Sequence, residues 1–419
     1  MAQERFGSSL LADESIPCDF ESDEAALAYA NSQLDKFVEA MRYSLERQIV
    51  GWPAEDRALN TQEAIRHLFR NISLAHASYM EADWLNPELT RLGATSRIQF
   101  QLPAVDCVYH TALLHGDYTY RLQGYRGTAA VFQITAYRGN ACELVNWKTW
   151  SVANNFDTPA LAPGKVIDVV LSRSKPENLG DAYWMELPEG PCEVHLRQYY
   201  GNWETEEAAS LRIVRENQTF PAAMLTKELA EARFKRVANF LRVHADFCSR
   251  GVQAHLDADP HEVPELVVPG AFEGTQYFNG HFRCQPDQAV ILEAEDAGSL
   301  YWNLELANLQ WEPGDWWTRL SSYNGTQIHR YPDGRIRLVA SWQDTGVPNW
   351  LDCSGRILHL FSFRFFRAKQ TPMQPRVKIV PLTEVRNHLP PCPVIAPEAR
   401  YDLLTRRYLS VYRRRCSDF

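Results

Sequence analysis

One stretch of this chain occurs twice, and that limits the folds open to it more than any other feature. Gly164 opens an apolar run to Ser172, followed by Tyr183-Trp184, Cys192-Glu-Val-His-Leu-Arg197 and Ser210-Leu-Arg-Ile-Val214. The same order returns as Gly334 to Trp342, Asn349-Trp350, Leu358-His-Leu-Phe-Ser-Phe-Arg364 and Arg376-Val-Lys-Ile-Val380. Each copy reads as a strand opened by Gly, a Trp-bearing segment, a strand ending in Arg and a short last strand. A long internal repeat means two related units. Many short strands without interleaved helices mean antiparallel sandwiches or jelly rolls.

Helical periodicity surrounds the repeats. Leu27, Leu34, Phe37, Met41 and Leu45 share one face of a helix starting near Ser22. Asn60-Thr-Gln-Glu63 has the form of a capping box before a second helix, and Asn86-Pro87 predicts a short third one ending near Gly93. A helix over 220–256 precedes the second copy, with Gly251 as its terminator. Strands are expected at Arg97–Leu102, Tyr118–Gln123 and Ala130–Tyr137, the last followed by a Trp-containing connection. In the second copy, Ala289–Glu295 is expected to pair with Ser299–Leu306, and Ile328–Ala340 to form a hairpin about Pro332-Asp333-Gly334. The fold class is therefore mainly β with α: two related antiparallel β-sandwich or jelly-roll-like domains, each preceded by helices, plus a C-terminal helix. The divisions fall at 1–21 (a polar, poorly ordered N-terminus), 22–96 (helical), 97–219 (first β-domain), 220–273 (helical linker), 274–390 (second β-domain) and 391–419 (basic helix).

Charge and cysteine usage narrow the function. The net charge of −9 argues against nucleic acid, and the one basic run, Arg406 to Arg415, lies on the last helix. Nine cysteines without C-x-x-C spacing read as reduced thiols of a cytoplasmic protein. No apolar run suggests a signal peptide or a membrane span. The sequons at Asn71, Asn217 and Asn324 are then accidental. The twelve histidines show no H-x-H or H-E-x-x-H grouping, and no P-loop, dinucleotide-binding or nucleophile-elbow motif occurs. The expectation is no metal and no cofactor.

Two loops hold the densest polar and aromatic residues. The first runs from Asn308 to Gln327 and the second from Asp344 to Gly355. Trp311, Asp315, Arg319, Ser321, Ser322, Asn324 and Gln327 in the first, and Asp344, Gly346, Val347, Pro348, Asn349, Trp350, Leu351, Asp352 and Gly355 in the second, resemble the signature of the bacterial domain-of-unknown-function family 1214. Tyr118–Gly127 and Arg197–Glu206 are similar to the segment that precedes this domain in longer members. Thr345 and Cys353 depart from the pattern, where Pro and Thr are usual. The resemblance spans about 100–385 and implies a β-rich fold. It also implies an association with small-molecule catabolism, lipid- or sterol-like compounds included.

From these loops the expected catalytic residues are Asp352 and Asp315 as acid/base and Arg319 as a carboxylate or phosphate clamp. Trp311, Trp316, Trp350, Asn324, Gln327, Asn349 and His115 are the expected substrate-binding residues. Each has a structural alternative. The arginine could pair with Asp315, Asp344 or Asp352, the aspartates could form Asx-turns, and the tryptophans could be core. Positions shared by both copies, Trp184/Trp350 and Arg197/Arg364, read as scaffold. That leaves the unduplicated loop from Trp311 to Gln327 as the stronger site. The functional expectation is an enzyme or enzyme-like protein acting on a small, largely apolar molecule with an anionic or oxygenated handle. Its chemistry would be cofactor-independent and non-redox, of hydrolase, lyase or isomerase type. The alternatives are a carbohydrate- or small-ligand-binding module, and a structural or assembly protein forming a homo-oligomer through its terminal helices.

Overall fold

A computed structural model describes residues 20–95, 97–142, 152–157 (as backbone), 162–222, 224–260, 263–266 and 274–415. Residues 1–19, the Trp-containing connection and His261 lie outside the described residues.

The duplication is a duplication of whole sandwiches. The first contains a five-stranded sheet ordered β1 (Thr90–Gly93), β2 (Cys107–His115), β8 (Pro191–Tyr199), β4 (Val131–Arg138), β5 (Val152–Asp157). Its second sheet is ordered β7 (Tyr183–Glu186), β6 (Val166–Ser172), β3 (Tyr120–Tyr125), β9 (Ser210–Arg215). The second sandwich repeats this with β10 (Glu265–Leu266), β11 (Thr275–Arg283), β17 (Leu358–Phe366), β13 (Tyr301–Ala307), β14 (Ser322–Asn324). It is closed by β16 (Trp350–Asp352), β15 (Ile336–Ser341), β12 (Gln288–Ala294), β18 (Arg376–Pro381). Pairing is antiparallel except β6 with β7 and β15 with β16, which are parallel in both copies. Both copies also fix the parallel strand alike: Trp184 Nε1 donates to Ser172 Oγ at 3.1 Å, and Trp350 Nε1 to Ser341 Oγ at 2.9 Å.

Side-chain alternation sorts the central strands. In β8, Cys192, Val194 and Leu196 enter the first sandwich core, and in β17, Phe361, Phe363 and Phe365 enter the second. The opposite faces of both five-stranded sheets are also covered. At one end they meet directly, Tyr199 lying 4.6 Å from Phe366 and 5.4 Å from Tyr301 between ring centres. Elsewhere helix α3 (Lys227–Asp257) fills the wedge: Phe240 and Leu241 pack with Leu113, and Val252 packs with Leu358 and Leu360. Helix α1 (Asp23–Ile49), N-capped by Ser22, and α2 (Arg57–Ala75) complete that layer. Helix α4 (Pro397–Arg415) docks at the junction of the sandwiches. Among the described residues no helix is long and apolar enough to cross a membrane.

Several local expectations change. Arg97–Leu102 is not a strand: Ile98, Phe100 and Leu102 are apolar anchors of an irregular crossing between helices and sheets. No helix follows Asn86-Pro87, and β1 forms there instead. Asn60 lies inside α2, its amide bonded to Glu55 O, while Glu63 pairs with Arg356, so there is no capping box. β12 and β13 lie in different sheets. The Pro332–Gly334 turn forms, with Gly334 N donating to Tyr331 O at 2.9 Å, but the segment before it is not a strand. Gly251 does not end α3. A Cβ there would lie 2.7 Å from the Trp311 indole, so the helix continues through a glycine that makes room for that ring.

Candidate site between the sandwiches

The loop from Asn308 to Gln327 is where the two sandwiches, α2, α3 and α4 are tied together. Trp311 sits on Gly251 and donates from Nε1 to His255 Nε2 at 3.2 Å. The other ring nitrogen of His255 bonds Gly280 O at 3.0 Å, so the two bonds together define a neutral ring protonated at Nδ1. Burial lowers the pKa of His255 to about 4. Trp316 is buried edge-on against Trp203 of the first sandwich. The guanidiniums of Arg407 and Arg414, from α4, lie 4.3 and 4.0 Å from the Trp203 ring centre. Burial pushes both pKa values down to about 10.

Asn324 is wholly buried and gives its amide to Asp106 Oδ1 at 2.7 Å and to Gly201 O at 3.0 Å, both in the first sandwich. Gln327 Oε1 accepts from Asn324 N at 3.3 Å. Asp315 pairs with Arg66 at 2.8 Å. Arg319 and Asp352 pair with each other at 2.8 Å, with Arg319 47 % exposed. Asn349, at φ 56°, holds His329 and Arg337 through main-chain bonds. Trp350 is packed under Arg400. His115 is remote from all of these, beside Trp84 and Tyr118. The structural alternatives thus describe what these side chains touch: the predicted acid/base and clamp residues are engaged in ion pairs, and Trp316 is core.

The residue that organises this junction carried no sequence signal. Asp106 is buried just before β2. Its Oδ1 accepts from Trp203 Nε1 at 2.6 Å and from Asn324 Nδ2 at 2.7 Å, and its Oδ2 from Tyr301 OH at 2.7 Å.

A second polar cluster lies between the facing five-stranded sheets. Register places Tyr109 and Gln133 on either side of Arg197 in the first sheet, and Tyr277 and Asn303 on either side of Arg364 in the second. The two arginines are equivalent by the repeat, yet their partners differ. Arg364 forms an ion pair with Glu305 at 2.5 Å and donates to Leu102 O at 2.8 Å. Two positions along from Gln133, where the second copy has Glu305, the first has Thr135. Among the described residues Arg197 accordingly bonds uncharged oxygens: Thr135 Oγ1 at 2.8 Å, Tyr137 OH at 2.6 Å and Gln133 Oε1 at 3.4 Å. Among the described residues no carboxylate pairs with it. Arg197, Tyr109 and Tyr277 sit between the sheets yet each keeps some accessible surface. In the second sheet, Asn303 is fully buried and neither of its amide atoms has a partner among the described residues. Burial pushes the Glu305 carboxyl up to about 7 against the pull of Arg364.

No protein-family model matches the chain, and no curated protein does. Solved structures do. An uncharacterized protein from Burkholderia cenocepacia superposes with a TM-score of 0.76 at 20% identity, covering 85% of this chain and 98% of that one. A protein from Vibrio parahaemolyticus gives a TM-score of 0.44 at 11% identity, covering 75% of this chain and 98% of that one. The first likeness shows that the tandem-sandwich fold is shared. The class defined here is a two-domain β-sandwich protein with a polar cluster buried between its domains.

Proposed function

We propose that the protein binds a small molecule bearing an anionic or oxygenated handle in the space between the two sandwiches, and that Arg197 holds the handle. The observation that carries this is the broken symmetry of the repeat. Arg364 has a carboxylate partner, and Arg197, at the equivalent position, has Thr135 where that carboxylate would be. A guanidinium between packed sheets that meets only neutral groups is an uncompensated positive charge, which is costly unless an anion joins it. The unpartnered amide of Asn303 across the gap offers a donor and an acceptor for the same guest. The rings of Tyr109, Tyr199 and Tyr277 offer apolar walls for the rest of the molecule.

Glu305 would add catalysis to binding. A carboxyl with a pKa of about 7 suits general acid/base exchange near neutrality, and non-redox hydrolase, lyase or isomerase chemistry would need no more than this. Membership of family 1214 and a place in small-molecule catabolism belong to the same proposal and rest on the two loop motifs, and a cytoplasmic location rests on the cysteines without C-x-x-C spacing. The homo-oligomer through terminal helices keeps one supporting observation: Tyr401, Leu409 and Tyr412 are exposed on α4.

A thermal-shift panel of straight-chain carboxylates, sulfonates and phosphates tests the binding claim. The wild type should be stabilised by at least one class, and Arg197→Gln should lose that response while remaining folded. Equal responses from the two proteins would remove the basis of the proposal.

A further inference from the structure

His67, His244 and Cys248 form a second cluster, outside the space described above and assigned no role by it. His244 and Cys248 stand four residues apart on α3 and so share one helix face. His67 comes from α2, and its ring stacks on His244 with centres 5.6 Å apart. All three side chains are buried, and one nitrogen from each ring and the sulfur lie within 4.8 Å of one another. Cys248 Sγ is 3.7 Å from His244 Nε2. A tetrahedral ion with the usual Zn–N and Zn–S bond lengths would set these separations at roughly 3.3–3.6 Å. One pair is therefore nearly in place, and no pair must close by more than about 1.5 Å.

The orientation of His67 is the second observation. Its Nδ1 bonds Glu312 Oε1 at 2.8 Å, and Arg70 holds the other carboxylate oxygen at 2.5 Å. Its Nε2 is buried without a partner among the described residues. If Nδ1 carries the proton, Nε2 presents a bare lone pair. If both carry one, an N–H points at nothing. Either arrangement is unfavourable in a dry interior, and a cation on Nε2 removes the problem. A carboxylate on the far nitrogen of a histidine is also the arrangement that orients metal-ligating imidazoles. Glu312 is fixed for this by its place in the loop between β13 and β14, which gives that loop a task beyond joining the sandwiches.

We propose that His67 Nε2, His244 and the thiolate of Cys248 bind one borderline-soft divalent ion of the zinc class, and that the ion pins α2 to α3. Two imidazoles and a thiolate suit zinc or cobalt and disfavour calcium and magnesium, which take oxygen ligands. On binding, the ion takes over the His244 lone pair that Gln101 N now shares at 3.2 Å.

The test uses the full chain under reducing conditions. Metal content is measured by plasma mass spectrometry after purification without chelator, and cobalt(II) is titrated into metal-free protein. The expected results are close to one zinc per chain, and a cobalt complex with visible tetrahedral bands and a near-ultraviolet sulfur-to-metal band. Cys248→Ser should abolish the sulfur band, Cys192→Ser should leave it unchanged, and Glu312→Gln should weaken zinc at least tenfold in competition with a chromophoric chelator. If Cys248→Ser does not fold, the thermal midpoint of the wild type is the readout, and it should rise with added zinc. Folded wild type that takes up neither ion, or a Cys248→Ser protein with an unchanged cobalt spectrum, would overturn the proposal.

Discussion

Removing the carboxylate of Asp106 should loosen the whole junction. Three donors end on it, Trp203 Nε1, Asn324 Nδ2 and Tyr301 OH, at 2.6, 2.7 and 2.7 Å. They come from both sandwiches, and Asp106, Trp203, Asn324 and Tyr301 are all buried. In Asp106→Ala the Trp203 indole and the Tyr301 hydroxyl lose this acceptor and the Asn324 amide keeps its main-chain ones, at about 1–3 kcal/mol for each bond lost. Arg407 and Arg414 also lose the negative charge that offsets part of their burial. The three losses share one small space that water can partly refill, so they do not add fully. A total of about 4–6 kcal/mol is expected, a large part of the stability of a typical chain. Asp106→Asn keeps one oxygen acceptor and the shape, and should lose about 2–3 kcal/mol. Urea unfolding followed by tryptophan fluorescence gives both values. With the bridge gone, the sandwiches should also begin to melt separately, broadening the transition. If both variants unfold within about 1 kcal/mol of the wild type, in one unchanged transition, the junction does not depend on this carboxylate and the reasoning fails.

Other changes should follow the same geometry. Gly251→Ala would normally favour a helix by about 1 kcal/mol, but here the methyl meets the Trp311 indole, so denaturation should report a loss of about 1–3 kcal/mol, partly restored by Trp311→Leu in the same chain. His255 is buried neutral with its pKa lowered to about 4. The unfolded chain then binds the extra proton first, so its contribution is complete above about pH 6.5 and is lost as pH falls toward 4, by about 3 kcal/mol. The difference between wild-type and His255→Gln stability curves should show that slope, and parallel curves would count against it. Arg319→Ala and Asp352→Ala break a pair that is half exposed on the arginine side; each should change stability by no more than about 1 kcal/mol, and a larger effect would return function or structure to that pair.

The repeat was legible because strands that pack alike keep alike patterns. Gly164/Gly334 and Trp184/Trp350 mark the same turn and the same parallel strand in both copies. Local alternation was less reliable. Ile98, Phe100 and Leu102 alternate because three anchors must face one way, and an irregular segment can satisfy that without a ladder partner. Gly251 read as a stop because a sequence does not show that an indole from 60 residues onward lies across it. The loop from Trp311 to Gln327 has the composition of a binding loop because interfaces between domains use the same residues, Trp, Arg and buried amides. Arg197 was visible as the twin of Arg364 and was read as scaffold for that reason. What distinguishes it is the exchange of a carboxylate for Thr135 on a neighbouring strand, which appears only once register is known.

A ligand held between the sandwiches would depend on Arg197. Calorimetric titration of the best-stabilising carboxylate or phosphate into wild-type and Arg197→Gln protein tests it directly. Loss of one or two charge-assisted hydrogen bonds, at about 1.5–3 kcal/mol each, predicts an affinity at least tenfold weaker, while an equivalent change at the exposed Arg319 should leave affinity unaltered. Equal affinities for wild type and Arg197→Gln, or a loss at Arg319 instead, would contradict a ligand held between the sandwiches.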